Sequence, residues 1–328
     1  MASKLDNSIH PEIVGLGAIN ADRLYRVQRL TIDGETTVIE SKFSPGGSAA
    51  NTIHGLAKLG VRAGFIGAIG EDTEGKRLIN ALHQIGVDTG RIRFKEGAQT
   101  GVALCLSDPS GKRAIYVLPG ANNLLTLKDV DIDYVKNAAF LHTSSFASEK
   151  QFNLQIELTA RIKPSVKVSF APGELYAAKG LKGLSPLLEK TYVLFLNHNE
   201  MKQIAGEDIS AGAGMCLNLG CKIVAVTLGK GARYQGVMAS SYIRDANGEY
   251  LVKAADPITG SVVDTTGAGD AFAAGFLYGL LKGKELESCG RIGDIVARSS
   301  ITQLGATNGL PTLNQLTEQY WHTYREEL

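Results

Sequence analysis

Short, fully apolar runs recur along this chain, and most are followed by a longer segment whose apolar residues fall at helical spacing. Ile13-Val-Gly-Leu-Gly17 is the first such run; Ala63–Ile69, Tyr192–Leu196, Ile223–Thr227 and Ser261–Val263 follow. A run without polar alternation leaves no face for water, so such strands belong in a mostly parallel sheet covered on both sides. Helical patterns between them, such as Ala49–Leu59 closed by Gly60, supply the crossovers of βαβ units. The expected class is α/β, a central mostly parallel sheet flanked by helices.

Two stretches break this rhythm. Leu30–Ser44 reads as extended and polar-alternating, and Gly101–Leu118 carries an Asp108–Gly111 turn between two apolar runs, which is a hairpin pattern. Both are expected to project from the main sheet as a small β-sheet lid, formed by discontinuous segments at about 30–44 and 94–118 of a single domain spanning 1–328. The lysines and arginines exceed the acids by 34 − 33 = +1, which excludes the basic footprint of a nucleic-acid binder. Ala271–Leu281 is the most apolar segment and falls short of the ~20 residues that span a bilayer. Met1–His10 has no apolar core for a signal peptide, and the four cysteines form no CxxC pair, as expected of buried thiols in a reducing cytosol. A cytoplasmic protein, monomer or homodimer, with a small-molecule partner and neither nucleic acid nor membrane, is the expectation. There are 38 glycines in 328 residues, well above the usual ~7%, which suggests tight turns and close approach of backbone to a ligand.

The glycines concentrate at candidate sites. In Val262-Val-Asp-Thr-Thr-Gly-Ala-Gly-Asp-Ala-Phe272 a strand gives way to a Gly-Ala-Gly turn that opens a helix, with Asp270 in its first turn. Exposed amides at a helix start bind anions, and a carboxylate beside them can take the proton of an attacking hydroxyl. A capped helix start with a dipole-favoured Asp would read the same way. Pro45-Gly46-Gly47-Ser48-Ala49-Ala50-Asn51 enters a second helix, with Asn51 offering donor and acceptor to a polyol. Asp22 follows the first strand. Asn197 and Glu200, three apart after another strand, suit water held around Mg²⁺ or, equally, a helix start. Thr227-Leu-Gly229 follows a further strand and suits nucleotide phosphates. Gly70–Arg77 imitates a P-loop but has Arg77 at the metal-binding hydroxyl position and three acids inside, so it is set aside, as is the incomplete dinucleotide pattern at Gly15-Leu-Gly17.

Taken together, from about Ile13 to Pro311, these residues resemble the ribokinase-like (PfkB) carbohydrate kinases. Asp264-Thr-Thr-Gly-Ala-Gly-Asp270 is similar to the C-terminal signature of that family, and Gly46-Gly47…Asn51 to its N-terminal one. Ile19–Asp22, Thr100–Leu104 and Gly120–Asn122 are similar to ribokinase segments. The resemblance implies a ribokinase-like fold with a β-lid over the sugar and an ATP-dependent kinase acting on a primary hydroxyl. It makes Asp270 the base, the amides of Gly267, Ala268 and Gly269 the anion hole, and Asp22, Gly46, Gly47 and Asn51 the sugar ligands. Asn197 and Glu200 match an element linked to Mg²⁺ and phosphate, with Glu200 acting on the metal indirectly. Thr227 and Gly229 match the nucleotide turn, although Ala232 stands where that turn usually has glycine. Asp264 aligns with a monovalent-cation site of K⁺-activated members. Hydroxyl residues at Leu141–Phe146 replace a ribose-contacting Glu, while Ser169-Phe-Ala-Pro-Gly173 is similar to nucleoside kinases. A ribose-like or adenosine-like acceptor therefore stays open, beside a phosphosugar kinase of the fructose 6-phosphate type and a non-catalytic sugar or nucleoside sensor.

Overall fold

The apolar runs at 13–17, 63–69, 192–196 and 223–227 become strands. The computed structural model describes residues 10–110, 112–234, 236–254 and 262–328, and for Lys230 the backbone alone. Strands β1 (Ile13–Leu16), β2 (Asn20–Val27), β3 (Val38–Gly46), β4 (Ala63–Gly70) and β5 (Asp88–Lys95) come first. Then come β6 (Gly101–Ser107), β7 (Arg113–Leu118), β8 (Phe140–Ser144) and β9 (Lys167–Ala171). The last are β10 (Thr191–Asn197), β11 (Ile223–Tyr234), β12 (Val237–Arg244) and β13 (Glu249–Lys253).

One sheet has nine strands in the order β13-β12-β11-β10-β9-β8-β1-β4-β5. Its ladders from β5 to β11 are parallel, and β12 and β13 extend it antiparallel. Every residue of β1 and β4 is buried, as an unbroken apolar strand requires. β1 pairs with β4 on one side and with β8 on the other. The chain therefore reverses its direction of travel across the sheet at the β1–β8 gap, and the crevice beyond the strand ends at such a switch point receives ligands in open α/β sheets.

Helix Ala268–Leu281 is buried from Ala271 to Gly279 because it lies between helices Ser48–Lys58 and Leu286–Ser300 and the sheet. Close approach is possible because the contacts are small: a Cβ on Gly275 would sit 2.8 Å from the Ile292 carbonyl oxygen. Part of the glycine excess thus serves helix packing, a use that turn and ligand arguments did not anticipate. Gly275→Val is expected to cost about 1–3 kcal/mol through overpacking, read as a lower urea midpoint at unchanged slope.

The second sheet, β3-β2-β6-β7, joins antiparallel β2–β3, parallel β2–β6 and the hairpin β6–β7. It differs from the segments read in the sequence. Asn20–Val27 is one of its two inner strands, whereas 30–37 has no strand and β3 begins at Val38. Residues 94 and 95 end β5 of the large sheet. Val262 and Val263 also form no strand, and Ser261 lies outside the described residues; the Val263 amide instead donates to the Ile301 carbonyl at 2.9 Å, tying a loop to a helix end. Cys216, Cys221 and Cys289 are buried free thiols and Cys105 is half-buried. Among the described residues no helix is long and apolar enough to cross a membrane.

Candidate active site

Helix Ala268–Leu281 starts from Gly267, whose φ of 76° is left-handed. A side chain there would be strained, and its Cβ would lie 2.4 Å from that of Ala306. Asp270, in the first turn, is clamped from the neighbouring helix. Ser48 Oγ donates to one carboxylate oxygen at 2.7 Å, and Asn51 Nδ2 donates to the other at 2.8 Å. Thr52 Oγ1 donates to the Asp270 carbonyl at 3.3 Å. Ser48 and Asn51 are one turn apart and share a helix face. Burial pushes the Asp270 carboxyl up to about 6, against the pull of the Asn51 and Ser48 hydrogen bonds.

Asp22 lies near enough to feel the charge of Asp270. It is 7% exposed, and its Oδ1 has no hydrogen-bond partner among the described residues. Burial, then the charge of Asp270, pushes its carboxyl up to about 7. A buried acceptor left open is costly and calls for a ligand donor. Gly46 is where the backbone passes Asp22: a Cβ there would be 2.1 Å from the carboxylate atoms. Asn122 fixes the approach by donating to Asn20 Oδ1 at 2.9 Å and accepting from the Ile19 amide at 3.0 Å. Ser144, at the end of β8, accepts from the Ala49 amide at 3.0 Å and seats the helix that carries Asn51.

The residues expected to bind an anion lie far along the chain, at 264–270. A Cβ on Gly269 would meet nothing within 4 Å, so open space lies over the helix start. The Ala268 amide turns back to Thr265 O at 3.3 Å and is the least available of the three. Asp264 accepts from the Thr266 amide and the Gly305 amide, both at 2.9 Å, and so pins the loop that leads into the turn. Parallel register sets Asn197, the last residue of β10, beside Thr227 in the interior of β11. Asn197 and Glu200 form a reciprocal capping box at 2.9 Å in each direction, so their spacing also has a local structural use. Burial raises the Glu200 carboxyl, the Asn197 amide opposes this, and Asp270 and Glu174 raise it further. Gly229, at φ 64°, lies in a register shift between Thr227 and Ala232, so the expected turn is a bulge within β11.

The structure brings together Asp22, Gly46, Asn51 and Asp270. Asn197 ends β10, Glu200 caps back onto it from the following helix, and Thr227 pairs with Asn197 from inside β11. Sequence reading passed over Thr52 and Glu174, and it quoted Ser48 and Asn122 within motifs without giving them a role. Ser48 was discoverable: it precedes Asn51 by three on a helix, so both must face the same way. Among the described residues no three His, Cys, Asp or Glu side chains converge to hold a metal ion by themselves.

Known proteins share this fold. The sequence profile of the pfkB family carbohydrate kinases matches residues 11–313. An "uncharacterized sugar kinase" of Archaeoglobus fulgidus is 37% identical over 257 residues, covering 78% of this chain and 98% of that protein. An ATP-dependent ribose-1-phosphate kinase of Halopiger xanaduensis is 33% identical, covering 84% of this chain and 86% of its own. The structure of Arabidopsis thaliana ribokinase complexed with ribose and ATP superposes with a TM-score of 0.80 at 27% identity, covering 95% of this chain and 99% of that one. This chain belongs to the pfkB family of carbohydrate kinases and is an ATP-dependent sugar or nucleoside kinase.

Proposed function

We propose that the chain transfers the γ-phosphoryl group of ATP to the primary hydroxyl of a ribose-like acceptor, free or within a nucleoside, with Asp270 as the general base. The observation that carries this is the pair of buried carboxylates: Asp270, clamped by Ser48 and Asn51, and Asp22, which feels its charge and has an oxygen without a partner among the described residues. The base accepts the hydroxyl proton, while Asp22, Asn51 and the backbone at Gly46 and Gly47 hold the remaining hydroxyls. Amides at Gly267, Ala268 and Gly269 meet the charge of the transferring group. Asn197, Thr227 and Gly229 lie along the path for the ATP phosphates.

The metal assignment rests on electrostatics. Glu200 feels both Asp270 and Glu174, and a hydrated divalent cation would relieve that repulsion. Mg²⁺ prefers to keep several waters, which agrees with Glu200 acting at one remove. Mg²⁺ would supply charge neutralisation on the phosphates. Asp264 spends one lone pair of each oxygen on an amide and retains others for a monovalent cation such as K⁺.

An ADP-release screen over ribose, adenosine, cytidine, inosine, fructose, fructose 6-phosphate and ribose 1-phosphate, with and without K⁺, tests the reading. Acceptor-dependent ADP release with an unphosphorylated ribosyl compound is the expected result. Turnover of the phosphosugars alone would replace it with a phosphosugar kinase, and binding without turnover with a sensor.

A further inference from the structure

We infer that Ser144, at the end of β8, is a positioning residue for the base. Its hydroxyl anchors the start of the helix that clamps Asp270, and Gln155 holds the strand end from the opposite face of the sheet. The inference rests on the kinase reading above. Two neutral donors orient the base, Ser48 and Asn51, and both belong to the start of helix Ser48–Lys58. The aim of the carboxylate therefore follows the placement of that helix start. The helix cannot cap itself. Its N-cap is Gly47, which supplies no side-chain bond. Gly47 has a φ of 104°, and a Cβ there would lie 2.1 Å from the Ala18 carbonyl oxygen. A capping Ser, Thr, Asn or Asp is thereby excluded from this position. The first amides of the helix, which have no intrahelical acceptor, need a partner from elsewhere.

Ser144 supplies it from 95 positions away: its Oγ accepts from the Ala49 amide at 3.0 Å. That is the bond a cap side chain makes to the second helical residue. Gly17 allows the approach, since a Cβ there would sit 2.5 Å from the Ala49 Cβ and 3.3 Å from Ser144 Oγ. Alternation turns Thr143 to the other face of β8. Phe140 and Ala49 belong to the core on one side of the sheet, Leu141 and Leu158 to the core on the other. From that other side Gln155, fully buried on helix Glu149–Arg161, takes hold of the strand. Its Nε2 donates to Thr143 Oγ1 at 2.5 Å and to the Ser144 carbonyl at 2.7 Å. The strand end is thus gripped on one face and grips the helix on the other. β8 is also the strand beside β1 at the switch point, so the brace ties the aim of Asp270 to the middle of the large sheet. Ser144 acts through Ser48 and Asn51 and exchanges no proton itself.

The test measures steady-state kinetics of Ser144→Ala and Gln155→Met, each in wild-type and Asp270→Ala backgrounds, on the acceptor found by the screen. Rates are normalised to the folded fraction seen by near-UV circular dichroism. Misplacing a reacting group by about 1 Å can cost about 100-fold, so Ser144→Ala should lower kcat about 10- to 100-fold with KM for ATP within about twofold. Gln155→Met nearly conserves volume while removing both donors. It should lower kcat about 3- to 30-fold in the same way, and it carries the test if Ser144→Ala does not fold. In the Asp270→Ala background either substitution should change the residual rate by less than about twofold, because the base it acts through is gone. Unchanged kcat per folded molecule, with only the folded fraction reduced, would overturn the inference. So would an equal loss in both backgrounds, which would show that Ser144 does not act through Asp270. Failure of the kinase reading looks different: wild type would turn over no acceptor, or Asp270→Ala would match it.

Discussion

Asp270→Asn is expected to lower kcat by about 10²–10⁴-fold, the usual worth of a positioned general base, while ATP affinity stays within about twofold. The amide cannot take up a proton at neutral pH. It also sets an N–H donor against the donors of Ser48 or Asn51, so Asp270→Ala is the companion variant that removes this conflict. Wild type adds a pH signature. The working form is the carboxylate, and burial raises its pKa to about 6, so kcat/KM should rise as pH climbs through that value and then level off. Asp22, at about 7, titrates with it as a coupled pair, which spreads the acid limb over both values. Asp270→Asn should leave a residual rate without the Asp270 limb. Near-wild-type turnover in Asp270→Asn would sink the assignment.

Asp22→Asn should separate affinity from stability. A carboxylate lost from an acceptor hydroxyl costs about 1.5–3 kcal/mol, so KM for the acceptor should rise about 10- to 150-fold. Stability should move the other way at alkaline pH. The native state of wild type favours the protonated acid, because the folded pKa of about 7 lies above the ordinary 3.8. That contribution is complete below pH 4 and is lost as pH rises through 7. The variant cannot ionise, so its Tm should fall less between pH 4 and 8 and should exceed that of wild type at pH 8. Thermal scans at these two pH values, beside steady-state kinetics, decide the matter. A variant that loses stability at pH 8 while keeping its acceptor KM would remove Asp22 from the sugar site.

The sequence was most legible where a residue's own neighbours determine its structure. β1 and β4 announced themselves because strands buried on both faces carry no polar alternation. The turn at Gly267 was visible because a left-handed residue at a helix start selects glycine. The β6–β7 hairpin was visible because its turn joins adjacent segments. β2 was not: Asn20–Val27 becomes a strand by pairing with Gly101–Ser107, some eighty positions on, and nothing local encodes that partner. Ser261–Val263 misled in the opposite direction, since two consecutive valines match a strand while Val263 bonds to a helix end. At the candidate site, residue types singled out Asp270, Asn51 and Asp22, but nothing in the sequence marked that Asp22 Oδ1 is buried with no partner among the described residues.

The nucleation of this molecule is shaped by the place of β1. Both neighbours of that strand are made later, and β8 is complete only at Ser144. At 5–20 residues per second, the nascent chain leaves the backbone N–H and C=O groups on one edge of β1 unpaired by β8 for roughly 6–26 s. During that interval the segment is a target for holdase chaperones and for mispairing with other copies. Asp270 meets Ser48 and Asn51 later still, so, with Asp270 as the proposed base, a nascent chain shorter than 270 residues should not consume nucleotide.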